Sequence, residues 1–396
     1  MRTAAAQNSP LGVQKAFVFL LLSALCVLRS ELLVRASSGT EGAAFLDIPV
    51  GAGPAALGSA YSALASDAYA PVYNPAGLGF LRTPQLAAQH LSYLEAIHDE
   101  FGSFVFPLAP ARDSVAEGRV RGALGVSVQY LGSGDIPGTD NTPAGNSIGN
   151  FSAHYAAYSL AYGQRMGESF ALGLTGKFIE AKLADVSAHA YAADLGALYK
   201  ATDDLTVSGT VNNLGSKLTF TNQGDSLPLA FHLGAAYQIE NHLKSTVEGV
   251  YSKTGLLSGR FGTEWSPLEA IALRAGYKTD TIKELSPLAG LTVGMGLRLF
   301  GQEFAYAWLP YGDLEDTQYF SLLIKFGAQE EERKNLIQYR DIKRHRTAQS
   351  IGTYDPAREP GRLQKEDLEY QQLMQLLNED HDRAALAPMV GTEAPR

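Results

Sequence analysis

The chain has 396 residues, a formal net charge of −9, a single cysteine, and 40 glycines beside 19 tyrosines and 17 phenylalanines. The acidic balance excludes the basic face expected of a nucleic-acid binder, and the lone Cys26 excludes a disulfide framework or a cysteine metal site. A mean hydropathy of −0.07 excludes a bundle of many membrane helices. It does not exclude a membrane β-barrel, whose strands are only half apolar.

The first residues predict export. Arg2 and Lys15 carry positive charge, and "AFVFLLLSALCVL" (16–28) has signal-peptide length but is short for a transmembrane helix. Val34 and Ala36 place small residues at −3 and −1 for cleavage before Ser37, so residues 1–36 are expected to leave with Cys26. Acylation of Cys26 fits less well, given Ser23 and Leu25 just before it.

Residues 37–83 come next and read differently. "APVYNPAGLGFL" (70–81) has no charge, yet Pro71, Pro75, Gly77 and Gly79 make it neither a regular strand nor a regular helix. Irregular backbone at membrane depth is tolerated only where protein shields it. The segment is therefore expected as a buried hatch or plug, with Pro71, Asn74, Pro75, Gly77 and Leu78 at its centre. Asn74 is placed to cap a turn with its side chain. A short first strand is the competing reading.

From residue 84 to 327 the pattern is period two, as in "ALGVSVQYLG" (123–132), the mark of half-buried strands. About 14 candidates follow: 85–94, 99–107, 119–131, 151–163, 168–181, 187–200, 203–213, 229–238, 242–252, 257–266, 269–278, 289–299, 302–310 and 317–326. No helical period intervenes, which predicts an all-β, antiparallel up-and-down transmembrane barrel. Links after even-numbered strands are mostly short, such as "FG" (300–301). Links after odd-numbered strands include "GSGDIPGTDNTPAGNSIGN" (132–150) and "LGSKLTFTNQGDSLP" (214–228). Short turns at one rim and long loops at the other are how outer-membrane barrels are built. The stretch "LAPARDSVAEGR" (108–119) is too long for its rim.

Charge sorts to one face. Lys177, Asp194, Lys244, Glu248, Arg260, Glu264, Arg274, Arg298, Glu303 and Lys325 all lie opposite the large apolar side chains of their strands. A Lys or Arg on the lipid face costs roughly 2–4 kcal/mol near the midplane, so this charged face is expected to be the lumen wall. The two-residue turn Phe300-Gly301 would set Arg298 opposite Glu303. As an isolated wall pair, it should tolerate a charge swap, and Arg298→Leu should be milder than Leu297→Arg.

After Phe326 the alternation ends. Residues 328–396 read as a charged tail with helical segments. Tyr370, Leu373, Met374 and Leu377 form one apolar stripe at helical spacing, either solvated or docking a periplasmic partner.

"GAGPAALGSAYSALASDAYAPVYNPAGLGFL" (51–81) resembles the N-terminal segment of the PorV/PorQ family of outer-membrane proteins, relatives of FadL-type fatty-acid transporters. The resemblance continues in "VNNLG" (211–215), "LPLAFHLGAAY" (227–237), "ALRAGYKT" (272–279) and "FAYAWLPYGDLEDTQYFSLLIKF" (304–326). It implies a barrel in a Gram-negative-type cell outer membrane and an N-terminal lumenal hatch; the tail, expected in the periplasm because the strand count is even, extends past the last strand, where proteins of this kind usually stop. The implied activities are passage of hydrophobic small molecules, or handling of exported proteins as a type IX secretion shuttle. A structural barrel without transport is the third reading. Implied partners are outer-membrane lipid, the barrel assembly machinery and secretion-system components. No cofactor, metal or enzymatic site is expected, because the eight histidines show no ligand spacing such as HExxH.

Overall fold

The computed structural model describes residues 41–93, 97–108, 122–140, 142, 145–240, 242–255, 257–279, 288–310 and 316–327. The expected signal segment, most of the 108–119 stretch and the tail stripe Tyr370, Leu373, Met374 and Leu377 lie outside these residues.

The strands in chain order are β1 (Gln85–Ser92), β2 (His98–Pro107), β3 (Gly122–Gly132), β4 (Ile136–Thr139), β5 (Ser147–Phe151) and β6 (Ala153–Met166). Then come β7 (Phe170–Leu183), β8 (Val186–Lys200), β9 (Leu205–Gly215), β10 (Lys217–Thr219), β11 (Gly224–Ser226) and β12 (Ala230–Glu240). The last six are β13 (Leu243–Ser252), β14 (Leu257–Leu268), β15 (Ile271–Lys278), β16 (Leu291–Leu299), β17 (Gln302–Pro310) and β18 (Asp316–Lys325).

Fourteen of them close into one barrel, in the order β1-β18-β17-β16-β15-β14-β13-β12-β9-β8-β7-β6-β3-β2. Neighbours run antiparallel, and β1 closes on β18 from Gln85↔Lys325 to Ser92↔Gln318. The other four strands form two hairpins, β4–β5 and β10–β11, in the long links after β3 and β9. Sequence reading treats both links as polar loops, because runs of three to five residues are too short to show a period.

The alternation fixes the two faces. Outward side chains are large and apolar: Leu174 is 51% exposed, Met295 56% and Leu233 74%. Inward, Lys177, Asp194, Glu248, Glu264 and Arg274 are buried. The turn Phe300-Gly301 has φ of 53° and 78°, the left-handed pair that a tight hairpin needs. Its register is Arg298↔Glu303 and Leu299↔Gln302. Between β8 and β9, Asp194 stands opposite both Asn212 and Asn213, a bulge with Asn213 at φ 62°.

Candidate functional site

The interior of the barrel is filled by residues 41–81. Their backbone is a chain of short helical turns: Ala44–Asp47, Ala52–Ala56, Ala70–Tyr73 and Pro75–Phe80. Pro71 and Pro75 each sit in the first turn of their element, where a missing N–H costs nothing. Asn74 joins the last two turns and is fully buried. Its Oδ1 accepts from Ala76 N at 3.1 Å, while Nδ2 donates to Ser62 O at 3.0 Å and to Ala197 O of β8 at 3.2 Å. The fixed order of Pro, Asn and Pro thus folds the segment and fastens it to the wall together.

The wall binds this segment around its circumference. Gln129 of β3 donates to Phe45 O, Ser321 of β18 accepts from Ala52 N, and Thr175 of β7 donates to Pro71 O. Thr292 of β16 both accepts from Gly58 N at 3.0 Å and donates to Ala56 O at 2.9 Å. Thr246 of β13 donates to Ala60 O, and Asn212 of β9 to Val72 O. Gly51 N donates to Gln89 of β1. Without these partners the irregular backbone would carry unpaired polar groups.

Close approach is made possible by inward glycines. Gly163, Gly173 and Gly196 lie side by side on β6, β7 and β8. A Cβ at Gly173 would stand 2.2 Å from Pro75 C, and one at Gly163 2.2 Å from Pro75 O. Gly262 of β14 and Gly276 of β15 make the same room for Leu57 and Gly58. Within the segment, a Cβ at Gly77 would fall 1.4 Å from Ala65 O. Leu78 is buried against Gly163.

At the long-loop end, Gly42 N donates to Ser226 O of β11 at 2.9 Å, and Phe45 packs on Tyr155. At the short-turn end, the Phe80 ring faces Lys200 Nζ at 4.2 Å and Arg165 Cζ at 5.3 Å, a cation–π anchor where the segment joins the wall. The segment therefore threads the full height of the barrel. In its middle, Asp67 accepts from Tyr61 OH at 2.5 Å and from Tyr69 N at 3.0 Å.

The lumen-wall charges gather into three groups. In the first, Glu264, Arg274, Glu303 and Arg298 close a ring of alternating sign across β14 to β17. Its edges are Arg274 Nε–Glu264 Oε2 2.7 Å, Arg274 Nη2–Glu303 Oε1 2.6 Å, Arg298 Nε–Glu303 Oε2 2.8 Å and Arg298 Nη2–Glu264 Oε1 2.9 Å. Lys244 adds a longer contact to Glu264 at 3.5 Å. Arg298 and Glu303 thus pair as the turn predicts, and each has a second partner that makes the pair one edge of a ring.

In the second group Glu248 receives Ser62 N and Ser62 Oγ of the segment on Oε2, and His232 Nδ1 on Oε1 at 2.8 Å, with Arg260 Nη1 at 3.9 Å. The order is serine–carboxylate–imidazole, so no imidazole reaches the hydroxyl, and this is a socket rather than a nucleophile. In the third, Lys177 Nζ meets Asp194 Oδ2 and Asn213 Oδ1, both at 2.7 Å, beside the bulge. Sequence reading does not single out Ser62, His232, Gln89 and Thr292 as site residues, because what marks them is only a polar side chain at an inward position. Among the described residues no three His, Cys, Asp or Glu side chains gather to hold a metal ion.

Between segment and wall, toward the long-loop end, lies a cavity of about 50 Å³. Ile48, Val72 and Tyr73 of the segment face Lys177, His232 and Arg260 of the wall across it. It is amphipathic: apolar side chains share its lining with Asp47 and Ser59 of the segment and with Lys177, Arg260, Asn212 and Asn213 of the wall.

No protein-family model matches this chain, and no curated protein sequence does. Solved structures similar to it include the monoaromatic hydrocarbon channel CymD, at 12% identity and TM-score 0.49 over 70% of this chain and 98% of that one. The Pseudomonas putida toluene transporter TodX is 13% identical, with TM-score 0.44 over 64% of this chain and 91% of that one. A Pseudomonas aeruginosa FadL homologue is 13% identical, with TM-score 0.42 over 69% and 96%. These are likenesses of overall architecture. The fold itself defines the class: a closed barrel of fourteen antiparallel strands with an occupied interior.

Proposed function

We propose that this protein is an outer-membrane channel admitting hydrophobic small molecules past a displaceable N-terminal hatch. The observation that carries this reading is the way residues 41–81 occupy the lumen. Apart from the chain's own continuation into β1, they are held by hydrogen bonds, a carboxylate socket and close packing, and they leave an amphipathic cavity beside the wall. A barrel built only for mechanical support has no need of a removable filling. The apolar outer face supports the membrane setting, with the long loops outside the cell and the short turns in the periplasm.

The membrane setting has its own check at Leu233, the outward side chain that is 74% exposed at the fourth position of β12. Leu233→Arg should lower barrel stability by roughly 2–4 kcal/mol in lipid, read as an earlier loss of heat-modifiable gel migration. A variant as stable as the parent would place that face in water.

The channel reading is tested by locking the hatch. A Cβ built on Gly42 stands 3.1 Å from Asp225 Cβ, and disulfides span Cβ atoms about 3.5–4.5 Å apart. Gly42→Cys with Asp225→Cys should therefore oxidise after a shift of a few tenths of an ångström. Intact cells carrying this variant should take up a radiolabelled aromatic hydrocarbon when reduced and lose most of that uptake when oxidised. Uptake no higher than in cells lacking the protein, in either state, would sink the channel reading. Equal uptake in both states would show that the hatch does not move at this end.

A further inference from the structure

Phe45 and Gly51 of the N-terminal segment are each gripped by a glutamine of the wall, and one carboxylate turns both glutamines. Gln89 of β1 and Gln129 of β3 stand opposite Phe101 of β2 on either side. Asp99 lies two residues nearer the long loops on β2 and points the same way, so it is diagonal to both. Its Oδ1 accepts from Gln89 Nε2 and its Oδ2 from Gln129 Nε2, each at 3.1 Å. Asp99 is fully buried, and the two glutamines are nearly so.

Backbone groups decide which end of each amide faces the segment. Gly51 N can only donate, so Gln89 must offer it Oε1, and this leaves Nε2 for Asp99. Phe45 O can only accept, so Gln129 turns one hydrogen of Nε2 to it at 3.2 Å and the other to Asp99. Both Asp99 oxygens therefore meet N–H groups. Only a group that accepts on both sides satisfies them: a carboxylate does, and an amide of the same shape does not.

The two grips bracket one short stretch. Every residue between them, Leu46, Asp47, Ile48, Pro49 and Val50, lines the cavity beside the wall. Releasing either glutamine would free one end of the stretch that covers this cavity.

We propose that Asp99 is the positioning residue of a latch. It orients Gln89 and Gln129 so that residues 45–51 stay closed over the cavity, and opening at this end requires both grips to part. The latch rests on the hatch reading above, but its readout needs no cargo.

The test is the rate at which a water-soluble maleimide labels Val50→Cys in the purified full-length protein in detergent micelles. Val50 is fully buried between the two grips, and protein without this change serves as the blank. With Asp99 intact, labelling should be slow. Adding Asp99→Asn should speed it about tenfold or more, the scale of a buried donor left facing a donor, in a barrel that keeps heat-modifiable migration. Adding Gln89→Glu to that variant should restore slow labelling. The carboxylate at position 89 accepts from Gly51 N and from the amide at position 99, whose oxygen still accepts from Gln129. Adding Gln129→Glu instead should not restore it, because a carboxylate then faces Phe45 O. Fast labelling with Asp99 intact, or an unchanged rate in Asp99→Asn, overturns the latch. Equal rescue by the two added glutamates also overturns it, since a buried charge at either position would then suffice. If neither rescue variant assembles, Asp99 is a structural group of the wall and the assignment falls. Absence of hydrocarbon uptake with the labelling contrast intact would remove the channel reading and leave the latch standing.

Discussion

Gly77→Ala and Gly173→Ala should each expel the N-terminal segment from an otherwise assembled barrel, whereas Gly176→Ala should change nothing. The first places a Cβ 1.4 Å from Ala65 O, inside the segment. The second places one 2.2 Å from Pro75 C, at the wall. In both cases the obstructing atom is backbone, so rotation of a side chain cannot relieve the overlap. Overpacking of a filled interior costs about 1–3 kcal/mol when neighbours can adjust, and here they cannot. Gly176 is three residues along the same strand but points outward, with nothing within 4 Å of an added Cβ. It controls for any loss of strand propensity in β7. The readouts are single-channel conductance in planar bilayers, which should rise for the two inward variants, and protease sensitivity of residues 41–81. Unchanged conductance and protection in a correctly migrating Gly173→Ala barrel would show that the segment does not depend on this contact.

Strand positions and faces are legible in the sequence because lipid and lumen impose opposite chemistry on alternate residues, so "ALGVSVQYLG" declares its period within ten positions. The burial of residues 70–81 is legible too, since an uncharged stretch broken by Pro71 and Pro75 has nowhere else to go. What the segment touches is not. Ala52 and Ser321 are 269 residues apart, and Gly58 and Thr292 are 234 apart. No local pattern links a serine or threonine to an amide that far away. The glycines at 163, 173 and 196 do leave a trace, since each occupies an inward position on successive wall strands. Read alone, however, each is merely a weak strand residue.

The ring of charges near the short turns is just as hidden from local pattern, and disturbing it should have the second large effect. Exchanging the charges of one edge, Arg298→Glu with Glu303→Arg, should destabilise the barrel strongly, although Arg298 and Glu303 considered alone predict a neutral swap. In the folded wall each of the two has a second partner. A glutamate introduced at position 298 would face Glu264 across the present 2.9 Å contact. An arginine introduced at position 303 would face Arg274 across the present 2.6 Å contact. The swapped edge and the Arg274–Glu264 edge stay attractive, while the other two become repulsive. Removing one partner of a buried pair costs about 3–5 kcal/mol, and reversing two contacts should cost no less, since Arg274 is only 5% exposed and Glu264 8%. Arg298 is 31% exposed, so water will screen part of its share. The check is the urea midpoint for unfolding in detergent micelles, together with the inversion of all four members. That quadruple variant restores the alternation and should recover most of the lost stability. It should fall short only by the new repulsion between the arginine then at position 264 and the half-exposed Lys244. If the double swap matches the parent in urea, the four side chains do not act as a ring, and Arg298 and Glu303 stand alone as the turn between them suggests.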